Sequence, residues 1–210
     1  MEVSELLKTV VLKLQQYKIR FGLAGGLVAN LYRTEIRATA DVDIVIATEK
    51  SEEDARKILG ALGYSPRITT QADLSGGPLW DRKKRIGPVC MISGGDPEDK
   101  LQVKLDLLLP EIPWVSTAVD RAQHQQIDFG FAKIPCITIE DFILSKLYAL
   151  RLNHSRFKDL DDLSSIFLSN PELDLPYLIG RMQEFELPLP IELKKQAHYL
   201  LERVSRKLRC

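Results

Sequence analysis

The apolar residues of this chain repeat at two different spacings. Val3, Leu6, Leu7, Val10, Val11 and Leu14 fall on one helical stripe, which predicts an amphipathic helix over residues 3–16. Tyr17-Lys18 turns into a short apolar run, Phe21 to Ala24, which reads as a strand. Leu27 to Tyr32 reads as a helix entered through Gly25-Gly26. Val42 to Ile46 is short, β-branched and apolar, and predicts a second strand. Thr48 to Gly63 forms another helical unit. Ser51 is its expected N-cap, Glu52, Glu53 and Asp54 suit the first turn, and Gly63 suits the position just past the end. Tyr64 to Thr70 predicts a strand. From Leu101 to Leu109 the alternation is clean, with Leu101, Val103, Leu105, Leu107 and Leu109 on one face and Gln102, Lys104, Asp106 and Leu108 on the other. Gln126 to Ile134 alternates in part and predicts one more strand.

From Thr138 onward the spacing is helical throughout. Thr138 is an expected cap, with Asp141 at the capping-box position of a helix over 139–152. Ile143, Leu147 and Leu150 mark its stripe. The next helix begins near Ser155 and carries Asp159 and Asp162 on one face. Two further helices over 173–210 are separated by Pro188 and Pro190. Between the two regimes, residues 73–100 are rich in glycine and proline and hold one short strand, Val89 to Ile92. The pattern predicts an α+β chain with a core over 1–136 and a helical region over 137–210.

Composition narrows the function only slightly. The chain has 210 residues, is 45% hydrophobic, and can bury a proper core. Lysine plus arginine equals aspartate plus glutamate at 29 each, which argues against a strongly basic nucleic-acid binder. The local basic stretches, Asp81 to Arg85 and the terminal helix over 191–209, read as solvated faces. Cys90, Cys136 and Cys210 form no CxxC motif and read as reduced thiols of a cytoplasmic protein. Neither a signal-peptide pattern nor an apolar run of membrane-spanning length occurs, so no membrane association is expected. His124 has no spaced partner and reads as a surface residue.

The chemistry concentrates in two places. Asp41 and Asp43 are two apart on a strand and share a face. Paired carboxylates repel each other unless a cation neutralises them, and hard oxygen ligands suit Mg²⁺ or Mn²⁺. Gly25-Gly26, at a strand-to-helix junction, allows a phosphate to approach backbone N–H groups. A phosphate cradle beside a metal-binding carboxylate pair is the minimum equipment for phosphoryl or nucleotidyl transfer. Lys146, among the apolar neighbours Leu144, Leu147 and Tyr148, has a stem suited to packing and a head that needs a partner.

Gly25-Gly26 followed by Arg37-x-Thr39-x-Asp41-Val42-Asp43 resembles the signature of the nucleotidyltransferase (DNA polymerase β-like) superfamily. The resemblance implies a mixed twisted sheet flanked by helices, an NTP donor with ATP among the candidates, and two Mg²⁺ ions. It implies Asp106 as a third metal carboxylate beside Asp41 and Asp43, with Asp106 as a candidate base. Gly25 and Gly26 would hold the triphosphate, and Arg37 and Thr39 would brace the strand or reach phosphate. Ser145-Lys146-Leu147, then Arg156-Phe157-Lys158-Asp159-Leu160-Asp161-Asp162-Leu163, resembles the helical half of AbiEii/MenT-type nucleotidyltransferases, the toxin-like branch of type IV toxin–antitoxin pairs. That resemblance implies nucleotide contacts for Lys146 and Lys158, a catalytic or lysine-holding Asp159, and an antitoxin partner. Many members of the branch carry Gly-Ser where this chain has Gly25-Gly26. The residues alone also allow a plain interhelical ion pair between Lys146 and Asp159. The acceptor stays open at this level: an RNA such as a tRNA 3′ end, a protein hydroxyl, or a small molecule of the aminoglycoside kind. A non-catalytic nucleotide-binding module on the same fold is the remaining alternative.

Overall fold

In the computed structural model, residues 2–74, 87–95, 103–170, 172–194 and 197 are described. The basic cluster at 81–85, the start of the strand predicted from Leu101, most of the terminal helix predicted over 191–209, and Cys210 lie outside them. The chain divides into two compact units, Met1–Val28 with Arg37–Thr138, and Ala29–Ile36 with Ile139–Cys210. The segment 29–36 thus groups with the helical unit, although sequence spacing assigns it to the core.

The first unit is built on a mixed sheet. It comprises α1 (Val3–Gln16), β1 (Phe21–Ala24), the start of α2 (Gly25–Tyr32), β2 (Asp41–Ile46), α3 (Ser51–Ala61), β3 (Arg67–Thr70), the short α4 (Gln71–Leu74), β4 (Val89–Gly95), β5 (Lys104–Leu108) and α5 (Val115–Ala122). Strand order is β1-β2-β5-β4-β3. Among the described strands of this sheet, β2–β5 pair in parallel, and β1–β2, β5–β4 and β4–β3 are antiparallel. Alternation sorts the faces. Val42, Ile44, Leu105, Leu107 and Ile92 are fully buried, with α1 against β2 and α3 against β4. At Gly94 α3 packs tightly, since a Cβ there would lie 2.6 Å from a Leu59 methyl. On the opposite face α5 covers β1 and β2, and a Cβ on Gly22 would lie 3.0 Å from that of Ala122.

Local signals account for most boundaries. In α1, Glu2 and Glu5 form a reciprocal capping box. Helix α3 ends as its sequence predicts: Gly63 has φ +73°, and Tyr64 N–H donates to Leu59 O at 3.0 Å, a Schellman closure. Its start differs. Ser51 is the first helical residue, and its hydroxyl accepts from Thr48 N–H at 2.9 Å, so it closes the preceding turn instead of capping the helix from outside. The strand predicted over 126–134 is a hairpin, β6 (Gln126–Asp128) with β7 (Lys133–Pro135). Asp128 accepts from Gly130 N–H at 2.7 Å, and Gly130 has φ +82°, so Asp-Phe-Gly reverses the chain.

The second unit holds the rest of α2, then α6 (Ile139–Leu152), α7 (Phe157–Ser169), α8 (Leu175–Glu184) and a 3₁₀ turn, Ile191–Leu193. Phe142, Ile143, Leu147, Leu163, Ile166 and Leu178 form its core. Asp141 is fully buried and accepts from the Tyr177 hydroxyl at 2.5 Å, so its partner comes from α8. Among the described residues no helix is long and apolar enough to cross a membrane.

Candidate active site

The parallel pairing of β2 with β5 makes the site. Asp43 and Asp106 are register partners, as are Asp41 and Lys104. Neighbouring strands lie about 4.8 Å apart, so Asp43 and Asp106 stand side by side, with Asp41 two residues along on the same face. The row continues in both directions: Ala24 pairs with Asp43, Ser93 with Asp106, and Arg67 with Ser93. One line across five strands therefore reads Ala24, Asp43, Asp106, Ser93, Arg67.

The glycine turn lies against these acids. Gly25 has φ +62°, a conformation costly for any residue with a side chain. A Cβ on Gly25 would also lie 2.6 Å from Asp43 Cβ, and nearer still to the carboxylate. A Cβ on Gly26 would meet Thr39 Oγ1 at 2.5 Å and lie 3.6 Å from an Arg37 guanidinium nitrogen. Thr39 donates to Asp41 O at 3.4 Å, so it braces the entry to β2. Gly25, Gly26, Arg37, Thr39, Asp41, Asp43 and Asp106 are thus gathered within the first unit.

The electrostatics of this face are uneven. Burial pushes the Asp106 carboxyl above its ordinary range, and the charge of Asp41 adds to the rise. The Ser93 hydrogen bond, Lys104 and Arg67 act in the opposite direction. Among the described residues no group of three or more His, Cys, Asp or Glu side chains is arranged to hold a metal ion. The register brings the acids' backbones together without drawing their carboxylates into a closed ligand set. The donors nevertheless fit Mg²⁺ or Mn²⁺: they are all oxygens, two of them are in register, and burial leaves Asp106 with a charge to be neutralised.

Lys146, Asp159 and Lys158 belong to the second unit, where a chain of alternating charges is laid down. Arg33 donates to Asp162 Oδ1 at 2.6 Å, and Lys146 Nζ lies 3.1 Å from Asp162 Oδ2. Lys146 Nζ also donates to Asp159 Oδ1 at 2.6 Å, and Arg156 Nε donates to Asp159 Oδ2. Arg33 further reaches Asp161 at 2.9 Å. The Asp162 side chain is 0% exposed and that of Arg33 only 8%. Lys146 is thus held between two carboxylates and also lies 5.1 Å from the Phe142 ring, whereas Lys158 is exposed. The spacing of Asp159 and Asp162 on one helix face signals this cluster. Arg33 carries no such signal, because its partners lie far along the chain.

Known proteins with this architecture bear on its meaning. Residues 5–184 match the model of the family described as Nucleotidyl transferase AbiEii toxin, Type IV TA system. No curated protein sequence matches the chain. Solved structures share the fold, among them the following three. A crystal structure of ANT(2")-Ia in complex with adenylyl-2"-tobramycin is 15% identical, with TM-score 0.52 over 87% of this chain and 96% of that one. The solution structure of the antibiotic-resistance factor ANT(2'')-Ia is 14% identical, with TM-score 0.51 over 97% of each chain. The antigenic nucleotidyltransferase-like protein from Paracoccidioides brasiliensis is 16% identical, with TM-score 0.50 over 98% of this chain and 88% of that one. At such identities the structures speak for the fold alone, a mixed sheet flanked by helices, whereas the family match runs from α1 to the end of α8 and takes in both motif regions. This chain belongs to the AbiEii family of nucleotidyltransferase toxins.

Proposed function

We propose that this chain is a divalent-metal-dependent nucleotidyltransferase. It moves a nucleoside monophosphate from an NTP to an acceptor hydroxyl and acts as the toxin of a toxin–antitoxin pair. The observation that carries the reading is the in-register placement of Asp43 and Asp106, with Asp41 on the same face and Gly25 against Asp43.

Gly25 and Gly26 let the phosphates approach the backbone, and the N–H groups at the start of α2 donate to the phosphate oxygens. Arg37, beside Gly26, offers a guanidinium to the same phosphates. Asp41, Asp43 and Asp106 would hold Mg²⁺ or Mn²⁺, which when bound neutralises phosphate charge and acidifies the acceptor hydroxyl. Asp106, in register with Asp43, is the group that takes the acceptor's proton as its oxygen attacks the α-phosphorus; pyrophosphate then leaves. Lys146 is already bound by two carboxylates, so its part is to order α6 and α7 within the second unit. Asp159 orients that lysine.

The acceptor we favour is an RNA 3′ end, a tRNA above all. Lys104 and Arg67 are exposed cations on the face that carries the acids, which suits a polyanion better than a polycationic aminoglycoside. The test incubates the purified chain with each α-labelled NTP, Mg²⁺ and total tRNA, alongside Asp41→Ala and Asp43→Ala variants. Label on RNA, absent in both variants, is the expected result. Label on protein reassigns the acceptor, as does label on an added aminoglycoside. No incorporation with any acceptor overturns the enzyme reading. In cells, expression of the parent chain slows growth and either substitution relieves it.

A further inference from the structure

The function proposed above asks one side chain, Asp106, both to bind a cation and to take a proton. Either task needs a fixed carboxylate, because a misplacement of about 1 Å costs on the order of 100-fold in rate. Nothing within β5 supplies that rigidity. Its neighbours on the same face are Lys104 and Leu108; the first is a long flexible cation and the second has no donor. Arg67 attracts Asp106 from the far side of β4, but it is exposed on the edge strand, where a long side chain gives up much entropy to hold a single position.

Ser93 differs in each respect. It is the register partner of Asp106 on β4, and its side chain hydrogen-bonds the carboxylate. A hydroxyl on one short bond has little freedom to lose. The strand beneath it is fixed, since β4 is paired on both sides and Gly94 is wedged under Leu59 and Tyr64. Its neighbours on that face, Met91 and Gly95, offer no side-chain donor in its place. We propose that Ser93 is a positioning residue: its hydroxyl donates to Asp106 and fixes the carboxylate's rotation, leaving the other oxygen for the cation and the acceptor hydroxyl. The inference rests on the proposed function for its catalytic half and on the structure alone for its cation-binding half.

The test compares the full-length parent chain with Ser93→Ala and Ser93→Thr in two assays. One is Mn²⁺ binding, read from the electron paramagnetic resonance of free Mn²⁺. The other is Mg²⁺-dependent nucleotide transfer. Loss of a partner that orients a metal-binding carboxylate typically costs about 10- to 100-fold in affinity or activity. Ser93→Ala is expected to weaken Mn²⁺ binding and lower kcat within that range while leaving the KM for NTP nearly unchanged. Ser93→Thr, which keeps the hydroxyl on a side chain suited to a strand, restores most of both. Parent-like Mn²⁺ affinity and kcat in Ser93→Ala overturns the inference. So does a Ser93→Thr as impaired as Ser93→Ala, since the hydroxyl would then not be the cause. If the parent binds Mn²⁺, Ser93→Ala binds it poorly and neither transfers nucleotide, the positioning role stands and the enzyme reading falls. A parent chain that binds no Mn²⁺ overturns both.

Discussion

Substituting alanine at Gly25 tests whether the glycine turn and the acids form one device. Two costs apply, and the structure separates them. The first is the backbone: φ is +62° at Gly25, and placing a Cβ in that region costs about 1–2 kcal/mol. Gly63 has φ +73°, and a Cβ there would meet nothing within 4 Å, so Gly63→Ala carries the same backbone cost and no other. For a chain of this size each kcal/mol lowers Tm by roughly 2–4 °C, so the backbone cost should lower the melting of Gly63→Ala by some 2–8 °C and that of Gly25→Ala by at least as much. The second cost is steric and belongs to Gly25 alone. Its Cβ would lie 2.6 Å from Asp43 Cβ, whereas carbons rest at about 3.5–4.0 Å. Asp43 must therefore recede by about 1 Å, which predicts a loss of transfer activity on the order of 100-fold. Gly63→Ala should keep parent activity below its own melting point. Thermal melts and initial rates on the three proteins decide the matter. A Gly25→Ala variant as active as the parent, or a Gly63→Ala variant equally inactive, would refute the reasoning.

Asp162→Ala leaves the buried Arg33 and Lys146 short of a shared carboxylate; removing one member of a buried ion cluster costs about 3–5 kcal/mol, so melting should fall on the order of 10 °C, and an unchanged Tm would show the cluster to be ornamental. For Asp106 the sign follows from its raised carboxyl pKa. The folded chain binds that proton more tightly than the unfolded one, so this group's contribution falls as pH rises from its ordinary 3.8 through the folded value and stays low above it. Metal-free Asp106→Asn should therefore be at least as stable as the parent at neutral pH and lose that advantage in acid; melts across pH 4 to 8 that show the reverse order would contradict it. Burial pushes the thiols of Cys90 and Cys136 up to about 11 and about 12, so with Cys210→Ser as background a thiol reagent at neutral pH should label the native chain negligibly and the urea-unfolded chain twice.

Sequence spacing carried the site further than it carried the helical unit. Asp41 and Asp43 share a face by strand periodicity, and Asp106 stands out as an acid in an apolar alternation; both are local facts. Their meeting follows from a parallel pairing that local pattern does not specify, although the resemblance supplied it. Ser93 and Arg67 were illegible, because register across β3, β4 and β5 decides which side chains stand in the row. Arg33 was missed for a related reason: it follows a helix whose stripe gives no hint of acids far down the chain. The hairpin at 126–135 was legible in principle from Asp128 and Gly130, but partial alternation over the same residues outweighed the turn signal. Asp141 fits a capping position by spacing, yet it is buried against Tyr177, since a carboxylate with a hydroxyl partner from another helix can be taken out of water.

The parallel pairing of β2 with β5 also sets when the row of acids can assemble. Asp43 emerges early in synthesis, but its neighbour on β5 follows only after α3, β3 and β4. Closing so long a crossover is a late and slow event in folding. A nascent chain halted before Lys104 carries Gly25, Asp41 and Asp43 but not Asp106, so the row of acids is complete only once β5 has left the ribosome.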